Sequence, residues 1–389
     1  MLPVPQRRRL LRILPYGLIW LASAVIFLTI EWTTAGGRFP DADTAILPNA
    51  GILAFALAAM TFLGLFVGYV ELYFLNRRFV HVSFLRKALY KLAIYLLFIH
   101  AVVLVTFPVA AAMELGTSPF AAAVWTKLGR YLTSLTHLST ALQLSVAITL
   151  SIIYAQVSEL IGHATLLHYL GGTYHHPIQE KRIFLFLDMR SSTAITERLG
   201  HARYFELLRA YYADLSGAID RYGGEVYQYV GDEVIVTWKL EDGLRDNNCL
   251  LCFFAMQRDL GSRAARYERE YGLAPEFKAA LHYGRVTAGE VGILKKHITY
   301  TGDVLNATAR IQSLCNTYEV DLLISFSLLE LLPLGDHFTL RFVGTPPLRG
   351  QSKPLQLYTV VLDTLPSSDT PSPTAGQSHR TTRTAKPAD

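Results

Sequence analysis

Four nearly uncharged apolar runs fall within the first 160 residues, at about 14–32, 52–75, 92–113 and 138–157. Each is close to the ~20 residues that an α-helix needs to cross a hydrocarbon layer. Inside a bilayer every backbone polar group must be satisfied within its own segment, so runs like these can only be helices. The remaining sequence is of ordinary soluble composition. The overall excess of hydrophobic residues, 51% against 17% charged, therefore comes from the N-terminal part. The chain divides into a membrane region (1–158), a helical linker (159–180), a soluble domain (181–363) and a Ser/Thr/Pro-rich tail (364–389), the last expected to be disordered.

Orientation follows from the basic residues. Arg77, Arg78, Arg86 and Lys87 lie between the second and third runs, whereas the first loop has Arg38 beside Asp41 and Asp43. The second loop is thus expected inside, with both termini and the soluble domain cytoplasmic at the inner (plasma) membrane. Ala22-Ser-Ala24 resembles a signal-peptide cleavage site, but the apolar run continues past it and reads as an uncleaved anchor. The stretch 116–137, with Lys127 and Arg130, reads as an interfacial helix or a poor extra span. Glu71 is expected to pair with Arg77 or Arg78, and mid-span His100 to be packed and hydrogen-bonded. The net charge of +5 is topological, since no basic face is interleaved with exposed aromatics; no nucleic-acid partner is expected.

Three cysteines, Cys249, Cys252 and Cys315, form no disulfide framework. Cys249-Leu-Leu-Cys252 has redox or zinc spacing, but it lies in an apolar helical stretch with no second pair and reads as core. His168, His175 and His176 are separated by Gly171-Gly172 and read as a solvated linker.

From Arg182 onwards the pattern is α+β. A strand up to Asp188 leads into a helix over 192–222, ended by Gly223-Gly224. Strands 225–230 and 233–240 meet at Gly231-Asp232, a hairpin signal. A helix over 246–271, a strand over 276–283 and a glycine-punctuated stretch over 284–292 follow. Then come a strand at 297–300, a helix over 303–316 and strands near 321–324, 338–343 and 355–361. Asp188 and Asp232 each end an uncharged β-former run where the chain must turn. Brought together by strand pairing, two such carboxylates make an oxygen-rich site suited to Mg²⁺ or Mn²⁺, and such ions usually serve phosphates.

The ordered motifs Phe-Leu-Asp-Met-Arg-Ser-Ser-Thr, Tyr-Val-Gly-Asp-Glu, Gly-Arg-Val-Thr-Ala-Gly-Glu-Val-Gly, Thr-Gly-Asp-Val-Leu-Asn-Ala-Thr-Ala-Arg and Leu-Arg-Gly-Gln-Ser-Lys-Pro occur between Lys181 and Val361. In this set and order the soluble domain resembles the class III nucleotidyl cyclase catalytic domain. The resemblance covers none of the membrane region. It implies a ferredoxin-like, palm-type fold behind an all-α transmembrane bundle. It also implies conversion of a nucleoside triphosphate to a 3′,5′-cyclic monophosphate and pyrophosphate.

By the same resemblance Asp188 and Asp232 hold two Mg²⁺ or Mn²⁺ ions per site. Met189, Ser191, Ser192 and Thr193 offer backbone amides to phosphate, and Arg285 contacts the triphosphate. Asn306 positions the ribose and Arg310 stabilises the pentavalent phosphate; Lys353 or Arg349 adds a phosphate contact. The family's sites span a dimer, so a homodimer is implied. Gln228 and Thr299 stand at the base-selecting positions. Adenylate cyclases usually have Lys at the first, a large bacterial adenylate-forming subgroup has Thr at the second, and guanylate cyclases typically show Glu and Cys. A neutral amide both donates and accepts, so it can pair with either purine; the reading favours ATP, with GTP or mixed use as the alternative. A diguanylate cyclase would share the Gly-Asp-Glu hairpin but not the Asn306/Arg310 helix. A catalytically inactive regulatory module would not need the full Asp/Asp/Asn/Arg set.

Overall fold

A computed structural model describes residues 4–34, 46, 49–75, 84–347 and 354–362. The chain forms two compact units. One comprises Met1–Glu180 with Thr287–Thr301, the other Lys181–Val286 with Gly302–Asp389.

Among the described residues of the first unit, four helices are long and apolar enough to cross a membrane. They are α1 (Val4–Thr34), α2 (Ala50–Val70, continued by a π turn at Glu71–Leu75), α3 (Phe84–Leu115) and α5 (Leu135–Ile161). Their packed side holds Tyr16, Trp20, Val67, Tyr95, Phe107 and Ile148, and Trp20 Nε1 donates to Ser151 Oγ at 3.0 Å. Phe62, Leu97, Val105 and Leu142 are exposed, the reverse of a soluble bundle. The 116–137 stretch contains α4 (Ala122–Leu132). At 11 residues, roughly 16 Å of helix, it is too short to span. Its Lys127 turns inward and pairs with Glu114.

Two expectations are corrected here. Glu71 is buried and pairs with Lys91, with the Tyr95 hydroxyl donating to its other oxygen at 2.8 Å. Its partner is thus a lysine one helix away; Arg77 and Arg78 lie outside the described residues. A carboxylate inside an apolar bundle needs both a charge partner and a donor, and α3 supplies both. The linker, expected to be helical over 159–180, is not one helix: the preceding helix ends at Ile161, Gly162 turns the chain, and α6 (His163–Leu170) follows. His100, as expected, is hydrogen-bonded, through Nδ1 to Leu96 O at 2.8 Å, but its side chain is exposed, edge-on to His137.

Among the described residues the sheet has eight strands: β1 (Ile178–Met189), β2 (Glu225–Val230), β3 (Glu233–Lys239), β4 (Phe277–Val291), β5 (His297–Thr301), β6 (Leu322–Ser325), β7 (Phe338–Gly344) and β8 (Leu357–Leu362). Their order is β2-β3-β1-β4-β6-β8-β7, with β5 beside β4. β4 and β6 run parallel, whereas β1–β3, β2–β3, β4–β5, β6–β8 and β7–β8 are antiparallel. The α+β expectation holds. Six consecutive residues of β1, Ile183–Asp188 less its last member plus Arg182, are buried, the mark of a central strand covered on both faces. Arg182 is tolerated there because it donates to Thr237 Oγ1 at 3.0 Å and pairs with Glu225.

The sequence-predicted helix 192–222 is two, α7 (Ser192–Leu199) and α8 (His201–Arg221), separated by Gly200. The helix expected over 246–271 is likewise divided. A short α9 (Leu240–Leu244) and a 3₁₀ turn precede α10 (Asn248–Gly261) and α11 (Ala264–Tyr271). The glycine-punctuated stretch 284–292 belongs almost wholly to β4, its glycines accommodated within an extended strand. α12 (Asp303–Ser313) follows β5, and α13 (Phe326–Leu329) follows β6. α8 and α10 cover one sheet face, packing Leu207, Tyr211, Leu215, Phe253 and Met256 on Leu185 and Leu187. Cys249 and Cys252 lie in that core and Cys315 in an adjoining cluster, all free thiols. The tail beyond 363, expected to be disordered, lies outside the described residues.

His282 on β4 is a pH-sensitive point in this core. It is 8% exposed, its Nδ1 lies 2.7 Å from Ser325 Oγ, and burial holds its pKa down at about 4. Below about pH 6.5 the unfolded chain takes a proton that the folded one refuses until near pH 4. Stability is therefore full above pH 6.5 and falls as the pH drops through this window, by up to about 3 kcal/mol. Melting at pH 7 and at pH 4.5 should show a clear drop for the native protein and a smaller drop for His282→Asn.

Candidate active site

Register brings the two aspartates together. β1 pairs with β3 so that Asp188 lies opposite Glu233, which places Asp232, the preceding residue, at the mouth of the β2–β3 hairpin. The hairpin turns at Gly231, whose φ of 64° is costly for any residue with a Cβ. Tyr212 on α8 fixes this turn, its hydroxyl donating to Gly231 O at 2.8 Å while its ring meets Tyr229.

Asp188 and Asp232 are close enough to act on one another electrostatically. Burial, followed by the hydrogen bond and charge of Asp232, raises the pKa of Asp188 above the usual carboxylate value. Burial and both aspartates likewise raise Glu233. Asp232 Oδ2 is buried and has no hydrogen-bond partner among the described residues. Like charges this close, with an orphaned oxygen, leave the site electrostatically incomplete. A hard divalent cation would complete it. No group of three His, Cys, Asp or Glu suited to a metal occurs among the described residues. Two carboxylates are nevertheless a suitable set for Mg²⁺, which commonly completes its shell with water and substrate phosphates.

The chain after Asp188 turns sharply. Met189 is buried, and Ser191 takes the left-handed conformation at φ 56° before α7 begins at Ser192. The first-turn amides of α7, including those of Ser192 and Thr193, have no intrahelical acceptor and point out of the helix N-terminus. One donor of the Met189–Thr193 run is already taken, since Arg190 N–H donates to Glu276 O at 2.8 Å.

α12 carries the other pair. It buries Val304, Ala307, Thr308, Ile311 and Gln312, leaving Asn306 exposed and Arg310 half-exposed, four residues apart on the opposite side. Arg285 is exposed on β4. Gln228 is exposed on β2, just past an irregularity in the β2–β3 register. Thr299 on β5, opposite Gly289, belongs to the first unit; its Oγ1 is buried and without a partner among the described residues. Lys353 and Arg349 lie outside the described residues.

Sequence reasoning did not single out Tyr212, Gln312 or Lys278. The Gln312 amide is close enough to Asp188 to favour its ionised form, yet Nε2 closes no full hydrogen bond. Lys278 Nζ lies 3.4 Å from Asp188 Oδ2. Its signal was present, as the lone cation in the β-former run Phe277-Lys-Ala-Ala-Leu281.

Residues 175–362 match the family model of the adenylate and guanylate cyclase catalytic domain. A protein named adenylate cyclase 2, from Rhizobium meliloti (strain 1021), is 36% identical over 225 residues, covering 58% of this chain and 62% of that protein. An adenylate cyclase of Anabaena cylindrica is 28% identical over 183 residues, covering 45% of this chain and 36% of that protein. The chain thus spans less than two thirds of the length of either relative. A crystal structure of the adenylyl cyclase CyaB from P. aeruginosa is 24% identical, with a TM-score of 0.43, and the match covers 48% of this chain and 96% of that one. The paired aspartates and the Asn/Arg helix both lie in residues 175–362, the part of the chain that the adenylate and guanylate cyclase catalytic domain model describes.

Proposed function

We propose that the protein is a membrane-bound adenylate cyclase that converts ATP to 3′,5′-cyclic AMP and pyrophosphate. The observation that carries the reading is the convergence of Asp188 and Asp232, with an orphaned carboxylate oxygen, at the end of the central strand. Two ions, Mg²⁺ or Mn²⁺, would be held by these carboxylates, and when bound would lower the pKa of the ribose 3′-hydroxyl and neutralise phosphate charge. The α7 amides at Ser192 and Thr193 hold phosphate oxygens, and Arg285 contacts the triphosphate. Asn306 orients the ribose so that its 3′-oxygen faces the α-phosphate. Arg310 meets the charge that develops on that phosphate as the new P–O bond forms and pyrophosphate departs.

The exposed position of Asn306 and the outward side of α12 support a homodimer in which this pair serves the aspartates of the other subunit. The four apolar helices support anchoring in the plasma membrane, and the basic 77–87 loop favours a cytoplasmic catalytic domain. The division proposed is membrane region 1–158, linker 159–180, catalytic domain 181–363 and tail 364–389.

Base choice rests on Gln228 and Thr299. Thr299 Oγ1 has hydrogen-bonding capacity to spare, and the relatives named above are adenylate cyclases. Gln228, being neutral, keeps GTP as the second reading. Purified full-length protein given ATP or GTP with Mg²⁺ or Mn²⁺ should make cyclic AMP at least tenfold faster than cyclic GMP. A reversed ratio would transfer the assignment to GTP while keeping the mechanism. No cyclic product from a verified dimer would leave a regulatory module.

A further inference from the structure

Lys278 is an unusual neighbour for a metal ligand. It sits on β4 between buried Phe277 and Ala279, its side chain is 13% exposed, and its ammonium lies 3.4 Å from Asp188 Oδ2. A lysine held this far from water needs a counter-charge. Asp188 supplies it, although Asp188 is also one of three acids, with Asp232 and Glu233, gathered at the end of the central strand. One ammonium therefore stands against three carboxylates, touching the aspartate that heads the metal-binding motif.

Resting on the metal-site reading above, we infer that Lys278 is a built-in counter-ion of the site. It holds Asp188 in position in the metal-free protein and competes with the incoming divalent cation for the same oxygen. Gln312 contributes from the α12 side, where its amide faces Asp188 with donor capacity unused. The competition has two consequences of opposite sign. The lysine tempers repulsion among the acids before metal binds, so its charge stabilises the metal-free fold. After binding, the same charge lies within a few ångströms of a dication and weakens its hold. Lys278 is a positioning residue, acting on the reaction only through Asp188.

The test is Mn²⁺ binding to the full-length protein without nucleotide, followed by electron paramagnetic resonance of the free ion, together with melting with and without metal. Lys278→Met keeps the length and apolar stem while removing the charge. It should bind Mn²⁺ roughly tenfold more tightly, the scale of a screened single charge. It should melt several degrees lower without metal, and saturating Mn²⁺ should close that gap. Lys278→Gln should repeat both effects if Lys278→Met folds poorly, and Lys278→Arg should behave as the native protein in both assays. Unchanged or weaker Mn²⁺ binding in the charge-removing variants would make Lys278 a packing residue and overturn the inference. Asp188→Ala separates the two layers. If it binds Mn²⁺ as the native protein does, the metal-site reading itself fails; if it loses binding while Lys278→Met is unchanged, only the counter-ion role fails.

Discussion

Asp188→Ala is expected to lower cyclic-nucleotide formation by about a thousandfold with either metal, since ~4 kcal/mol of charge stabilisation is a reasonable share for a metal ligand. The carboxylate stands at the end of the buried central strand, and no other described acid takes its register position. The same substitution should leave the metal-free protein folded, because relief of repulsion among the acids offsets the loss of the Lys278 counter-charge. It removes one of three crowded acids, whose mutual repulsion, with burial, raises Asp188 and Glu233. Inactivity without unfolding is the signature of a group kept for chemistry. Turnover with ATP and GTP, beside melting of the same preparation, checks both halves. Activity within tenfold of the native protein would remove Asp188 from the metal site.

Much of this arrangement was legible in the sequence because it depends on period and punctuation. The runs of bilayer length allow one secondary structure, and four helices among the described residues meet the requirement. Gly231-Asp232 between two β-former runs allows a tight hairpin, and that hairpin sets the register joining Asp232 to Asp188. Where sequence reading went astray, tertiary context decided. Gly200 and Ser262-Arg263 interrupt stretches whose apolar spacing is continuous enough to suggest unbroken helices. The strand expected over 276–283 instead runs on through Gly284 and Gly289 to Val291, its last five residues held by pairing to β5. Glu71 was assigned to its sequence neighbours Arg77 and Arg78, whereas Lys91 reaches it from a facing helix. Lys278 was missed for the same reason. Its importance comes from β4 lying beside β1, a pairing across almost ninety residues that no local pattern announces.

The second large effect concerns two inactive chains that rescue one another. Asp188→Ala and Arg310→Ala should each be at least a hundredfold down when expressed alone, the first lacking a metal ligand and the second its transition-state cation. Co-expressed in equal amounts, they should recover about a quarter of native activity: random pairing makes half the dimers mixed, and each mixed dimer has one intact site of two. The reasoning rests on α12, which buries Val304, Ala307 and Ile311 in its own domain and turns Asn306 and Arg310 the other way. A helix built to serve its own subunit's aspartates would have no need to present that pair outward. Co-expression of Asp188→Ala with Asp232→Ala is the control. Both lesions then fall in the same half-site, every dimer retains two damaged metal sites, and activity should stay at the level of the single variants. Equal failure of both mixtures, with mixed dimers confirmed by differently tagged chains, would place all four residues in one subunit. Rescue confined to the Asp188/Arg310 mixture would mean that catalysis needs two chains, and that whatever the four apolar helices do to the distance between domains they also do to the rate.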